Sequence, residues 1–141
     1  VYFTYGNHFM LNIVTEREGF PSAVLLRGLE PVYNIEMMAE RRNTIEKTEI
    51  ASGPGKLAKA LNITTANNGA DLCGLEINLK GPPTKKYDIW SSPRIGIGDR
   101  GSEKLWRFYI KNNPHVSPMN KFIRENSLRL SAARDMAFNL E

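Results

Sequence analysis

The first fourteen residues, VYFTYGNHFMLNIV, constrain the fold more than any other stretch of the chain. Val1–Tyr5 is rich in aromatic and β-branched side chains, Gly6-Asn7 supplies a turn, and His8–Val14 resumes an alternating pattern. This predicts a β-hairpin, because Gly and Asn tolerate the positive φ of a tight reversal. Side chains alternate along a strand. Phe9, Leu11 and Ile13 therefore share one face, assigned to the core, while His8, Met10 and Asn12 share the other. Because a strand opens at Val1 without Met, the chain is expected to begin inside a larger natural protein.

Downstream, Ala23–Glu30 reads as a third strand, in which Arg27 needs a partner if buried. Ile35–Arg42 reads as an amphipathic helix with Ile35, Met38 and Ala39 as its stripe. SGPGKLAKALNI makes a turn and a short helix, with Leu57, Ala60 and Leu61 inward and Lys56 and Lys59 outward. Leu75–Leu79, Arg94–Gly98 and Leu105–Ile110 are read as strands, the last two joined by the glycine-rich loop 98–102. In the last of these, Trp106, Phe108 and Ile110 share one face and Arg107 and Tyr109 the other. Residues 118–141 read as a helical or flexible tail. The fold class is α+β: a single domain on a curved, mainly antiparallel sheet with a protruding hairpin and a few helices.

Composition narrows the partners. No apolar run approaches the ~20 residues that span a bilayer, so no membrane partner is expected. One cysteine, Cys73, provides no disulfide framework, and it is read as a small buried hydrophobe in a reducing compartment. Two distant histidines, His8 and His115, give metal catalysis little material, so neither metal nor cofactor is expected. Net charge is +4 and the isoelectric point about 9.3, which tilts the partners toward polyanions.

Three constellations bear on chemistry. Tyr5 precedes the hairpin turn, where an aromatic wedge can unstack a base step, or simply pack over the sheet edge. Tyr2 lies three residues earlier and points to the opposite face, where it can stack on a flipped base or serve the core. SGPGK lacks the spacing of a nucleotide-binding loop. Its helix start beside Lys56 can grip one DNA phosphate or nothing at all. RIGIG is discarded as a dinucleotide fingerprint, and neither a serine–histidine–carboxylate arrangement nor a nucleophilic cysteine stands out.

Six segments taken together resemble the alkyladenine (3-methyladenine) DNA glycosylases of the type also found in mammals. They are VYFTYG at 1–6, LNI at 11–13, VLLRGLEP at 24–31, SGPGKLAKAL at 52–61, PRIGIG at 93–98 and LWRFYI at 105–110. The resemblance runs from residue 1 to about 117, so 1–117 is expected to be the carboxy-terminal part of a glycosylase domain.

It implies a monofunctional base-excision-repair enzyme that flips alkylated or deaminated purines and hydrolyses the N-glycosidic bond. The implied bases are 3-methyladenine, 7-methylguanine, hypoxanthine and ethenoadenine. The implied roles are Tyr2 as the stacking wall, Tyr5 as the intercalating wedge, Asn12 as the discriminator against guanine, and Arg27 as the pocket wall near the attacking water. Asn7 and His8 stand where bulkier DNA contacts occur in the family. The family's glutamate, which deprotonates the water, lies upstream of the hairpin, so the activity of these 141 residues alone is left open. The expected partner is double-stranded DNA with damaged purines, bound by a monomer. The expected location is the cytoplasm (nucleoid) of a bacterium or the nucleus of a eukaryote. A non-catalytic module binding distorted duplexes is the alternative, and an RNA-binding domain is a third reading.

Overall fold

A computed structural model describes residues 1–4, 6–75, 77–81, 86–98 and 100–130. The elements in chain order are β1 (Tyr2–Thr4), β2 (His8–Met10), β3 (Asn12–Val14), β4 (Ala23–Leu25), α1 (Ile35–Arg42), α2 (Pro54–Ala60), β5 (Ile89–Ser92), β6 (Arg107–Ile110), α3 (Lys121–Glu125) and β7 (Leu128–Arg129). Every strand pair is antiparallel: β1 with β2, β3 with β4, and β5 flanked by β6 and β7. Helices and open antiparallel sheets together make the class α+β. The chain forms two compact units, residues 1–81 with 114–117 and residues 82–113 with 118–141.

Unit 1 is organised by α2. Pro54 stands at its first turn, where a missing N–H costs nothing. Leu57, Ala58 and Ala60 are buried along it with Leu11, Ile50, Ala51 and Ile63. The small alanines let neighbours approach the helix closely, and Leu57 is wholly enclosed. Helix α1 presents its amphipathic stripe, Ile35, Met38 and Ala39, to the same cluster. Its last turn is basic, as the helix dipole favours. From there Arg41 Nη1 donates to the Ala60 carbonyl at 3.0 Å and Arg42 Nε to the Ile50 carbonyl at 3.1 Å. Asn43, at φ 50°, ends the helix in the left-handed conformation that asparagine tolerates.

The hairpin forms as its pattern dictates, with Tyr2 opposite Met10, Phe3 opposite Phe9 and Thr4 opposite His8. Phe3 and Phe9 meet with ring centroids 4.9 Å apart on one face. The expected strand His8–Val14 is divided at Leu11, which is buried. The expected strand Ala23–Glu30 ends at Leu25. Beyond it the Leu26 N–H still bonds to the Leu11 carbonyl, and the Leu29 N–H then bonds to a new partner, the Ala51 carbonyl. Leu75–Leu79 is not a strand among the described residues; only an isolated bridge joins Cys73 to Asn78, and Leu75 is fully exposed. Cys73 is exposed rather than buried.

Unit 2 is a three-stranded sheet with α3. Trp90 in the central strand faces Tyr109 on one side and Arg129 on the other, and Ser91 faces Phe108 and Leu128. Arg107, Tyr109, Ser91 and Ser92 are buried, while Trp106 and Phe108 are exposed. The alternation expected for Leu105–Ile110 is therefore present, with its aromatic edge turned outward. The strand expected at Arg94–Gly98 is instead a turn, since Gly96 and Gly98 sit at φ 77° and 57°, and β5 lies just before it. Residues 118–130, expected as part of a tail, contribute α3 and β7, with Ile123 buried. Asn120 caps α3 by accepting the Ile123 N–H at 2.9 Å. Residues 131–141 lie outside the described residues. No described helix is long and apolar enough to cross a membrane.

Candidate functional site

Two of the sequence-predicted residues, Tyr2 and Asn12, are tied to one methionine. Tyr2 is the cross-strand partner of Met10. Asn12 lies two residues from Met10 and donates from Nδ2 to its carbonyl at 3.2 Å. Asn12 pairs with Leu25 across β3 and β4, and the bond from Leu26 N–H to Leu11 O, 3.0 Å, extends that register by one residue, with Arg27 next in the chain. Tyr2 is 63% exposed, so its ring is open to a ligand rather than committed to the core.

The electrostatics here centre on Arg27. Its guanidinium is half-buried, and desolvation holds its pKa below the usual arginine value. Its Nε is enclosed without a hydrogen-bond partner, and no carboxylate among the described residues pairs with it. Partial burial of a cation is costly, and an acceptor at Arg27 Nε would offset part of that cost. A second orphan lies on the neighbouring stretch: Ser52 is buried, and its Oγ has no partner among the described residues. Gly28 brings the two stretches together. A Cβ on Gly28 would fall 2.9 Å from the His115 carbonyl and 3.9 Å from Ser52 Cα, so only glycine fits.

The remaining predicted residues are placed differently. Asn7 is exposed in the turn, its N–H 3.4 Å from the Thr4 carbonyl. His8 is exposed, with its ring against α2, because a Cβ on Gly55 would lie 3.3 Å from His8 Cγ. Lys56 is ion-paired with Glu49, so a phosphate has to compete with a carboxylate for it. Tyr5 lies outside the described residues. Sequence reasoning gave no role to Met10 or Ser52. Met10 was visible as the residue between His8 and Asn12 on one face, whereas nothing in SGPGK marks Ser52 as an unsatisfied hydroxyl.

Tyr2 thus offers an exposed ring, Asn12 a restrained amide and Arg27 a half-buried guanidinium. The sequence profile of the family described as Methylpurine-DNA glycosylase (MPG) matches residues 1–114. The chain belongs to this family. It is 48% identical over 118 residues to a protein of Chlorobaculum parvum named as a candidate 3-methyladenine DNA glycosylase, a match covering 83% of this chain and 56% of that protein. A protein of Methanocella arvoryzae with the same name is 49% identical over 122 residues, covering 83% and 60%. A third, from Alkaliphilus oremlandii, is 44% identical over 128 residues, covering 83% and 63%. The chain therefore spans little more than half the length of these curated relatives.

Proposed function

We propose that this chain is the carboxy-terminal part of a monofunctional DNA glycosylase acting in base excision repair. The observation that supports it best is the half-buried Arg27 guanidinium, which has no carboxylate partner among the described residues, in the same unit as Tyr2 and Asn12, both tied to Met10. In this reading a damaged purine turns out of the duplex, stacks on the exposed ring of Tyr2, and meets the Asn12 amide at its edge. The Asn12 Nδ2 donates to the Met10 carbonyl, which restrains the amide. The bulk of guanine's exocyclic amino group is then selected against by steric fit, and alkylated or deaminated purines are retained. Arg27 borders the hydrolytic water and stabilises negative charge near the sugar. Tyr5 fills the space that the base leaves in the duplex.

Hydrolysis also needs a group that deprotonates the water. The reading assigns it to a glutamate preceding Val1, because the residues that resemble the family do not include it. No carboxylate of this chain takes its place at Arg27 among the described residues.

The experiment uses the natural full-length protein and duplexes carrying a single hypoxanthine or ethenoadenine, with alkali to cleave abasic sites. Strand breaks confined to the lesion support the proposal. Lesion-duplex binding without strand breaks leaves a non-catalytic module that holds distorted DNA. Asn12→Ser is expected to raise release of undamaged guanine relative to the lesion. Unchanged discrimination removes Asn12 from the site.

A further inference from the structure

Charge is divided unevenly between the two units. Unit 1 carries eight Lys and Arg against nine Asp and Glu, whereas unit 2 carries eleven against six. The whole positive excess of the chain therefore lies in unit 2, while Tyr2, Met10, Asn12 and Arg27 lie in unit 1. The residues read as recognising the base and the charge suited to a polyanion therefore belong to different units.

Within unit 2 the charge is ordered by an exposed ring. The Arg94 guanidinium carbon lies 5.2 Å from the centroid of the Trp106 ring, and Lys104 Nζ lies 4.3 Å from it. Arg94 also holds the loop before β6. Its Nη2 donates to the carbonyls of Arg100 at 2.7 Å and Gly101 at 3.2 Å, and its Nε to Gly101 at 3.3 Å. Gly101 is the tight point, at φ 70°, and a Cβ there would fall 2.9 Å from Arg94 Nη2 and 3.4 Å from Lys104 Cδ. Both side chains therefore pass close to Gly101 and reach the indole. Trp106 is 59% exposed, and Phe108, two residues along the same face of β6, is exposed as well.

No carboxylate among the described residues pairs with Arg94, Arg100 or Lys104. Glu103 is exposed in the same loop, and Asp99 lies outside the described residues. Lys56 of unit 1, by contrast, is already ion-paired with Glu49.

Stacking on an uncharged ring restrains a cation without neutralising it. Pre-ordered cations lose less side-chain entropy when they meet an anion. A surface of this kind fits regularly spaced phosphates. We infer that Arg94 and Lys104, set over Trp106, together with the exposed Arg100 of the same loop, form a second contact surface that grips the phosphate backbone of duplex DNA regardless of sequence or lesion. The inference rests on the DNA-acting reading of the protein, and it adds phosphate contacts carried by residues of unit 2.

The test measures binding of the natural full-length protein to undamaged duplex DNA between about 50 and 200 mM salt. Arg94 is left in place because it holds the loop. The double variant Arg100→Gln, Lys104→Gln removes two cations. The slope of log affinity against log salt is expected to fall by about two, at roughly 0.9 per phosphate contact, with affinity lower severalfold. Trp106→Ala, which keeps the charges but frees them, is expected to weaken binding severalfold at the wild-type slope.

An unchanged slope in a double variant that melts like wild type overturns the inference, as does tighter binding to duplex RNA than to duplex DNA. Base release from a lesion duplex at saturating protein is measured in parallel and is expected to stay at the wild-type rate in the double variant. Loss of slope in a protein that releases no base keeps this surface and removes the glycosylase reading. Base release with an unchanged slope does the reverse.

Discussion

The two units use similar antiparallel strands to opposite ends. Unit 1 buries a continuous apolar cluster beneath a hairpin, and it leaves two polar groups, Arg27 Nε and Ser52 Oγ, enclosed without partners. Unit 2 buries little beyond Arg107, Tyr109, Ile123 and a few serines, and several of its basic side chains lie against rings: Arg94 and Lys104 on Trp106, Arg107 on Tyr109 and Lys111 on Trp90. Unit 1 thus encloses unsatisfied polarity. Unit 2 displays, at Trp106, two cations with no carboxylate partner among the described residues. The two units should respond differently to the same kind of mutation.

The largest difference is expected in the cores. Leu57 is completely enclosed by the unit 1 cluster, so Leu57→Ala should remove its contacts and leave a cavity, at a cost of about 3 kcal/mol. Ile123 is nearly as buried, at 4% exposure, but belongs to no cluster of buried apolar residues like that around Leu57. Ile123→Ala should cost less, about 2 kcal/mol, because a thinly covered site relaxes or hydrates more readily. Chemical denaturation of both variants measures the gap. Equal losses would show that unit 2 is as tightly packed as unit 1.

Next comes the junction that presents Arg27. Gly28→Ala places a methyl group 2.9 Å from the His115 carbonyl, a backbone atom that cannot swing aside. The expected cost is about 1–3 kcal/mol, with reduced lesion-base release in the full-length protein because Arg27 and Ser52 are pushed apart. Wild-type stability together with wild-type base release would show that the close approach is unimportant to the site.

How far these features could be read from the chain depends on how local their causes are. Helix α1 was legible over its whole length because its apolar spacing, its basic last turn and Asn43 all act within a few residues. The hairpin was legible for the same reason. The break at Leu11 was not, since no Gly or Pro marks it and its cause is a change of partner strand. Strand β5 was missed because IWSS has no apolar alternation; Ser91 and Ser92 are buried by their neighbours, not by their own chemistry. RIGIG deceived in the other direction, since its β-branched residues suggest a strand and its two glycines adopt positive φ. Asn12 and Arg27 were nominated by resemblance alone, and Tyr2 by its place on the opening strand as well. The link of Tyr2 and Asn12 to Met10 follows from the hairpin register and from one side-chain bond to the Met10 carbonyl. The grouping of Arg94, Lys104 and Trp106 depends on a loop closing around Gly101, and net charge gave no hint of it.

The smallest effect belongs to the outer edge of unit 2. Arg129 on β7 donates from Nε to Asp88 Oδ1 at 2.7 Å, just before β5, and the guanidinium holds the Asp88 carboxyl below the usual carboxylate range. A depressed folded-state value stabilises the fold at pH above the unfolded value of about 3.9, and that contribution disappears as pH falls through the folded value. Wild type should therefore be slightly more stable than Asp88→Asn near neutral pH, and the two should converge as the solution becomes more acidic than about pH 4. Because both side chains are largely exposed, water and salt screen the pair, and the gap should shrink further with added salt. Urea midpoints taken across this range decide the matter. A gap that widens in acid would mean that Arg129 does not stabilise the ionised carboxylate, and that β7 is held to β5 by backbone pairing alone.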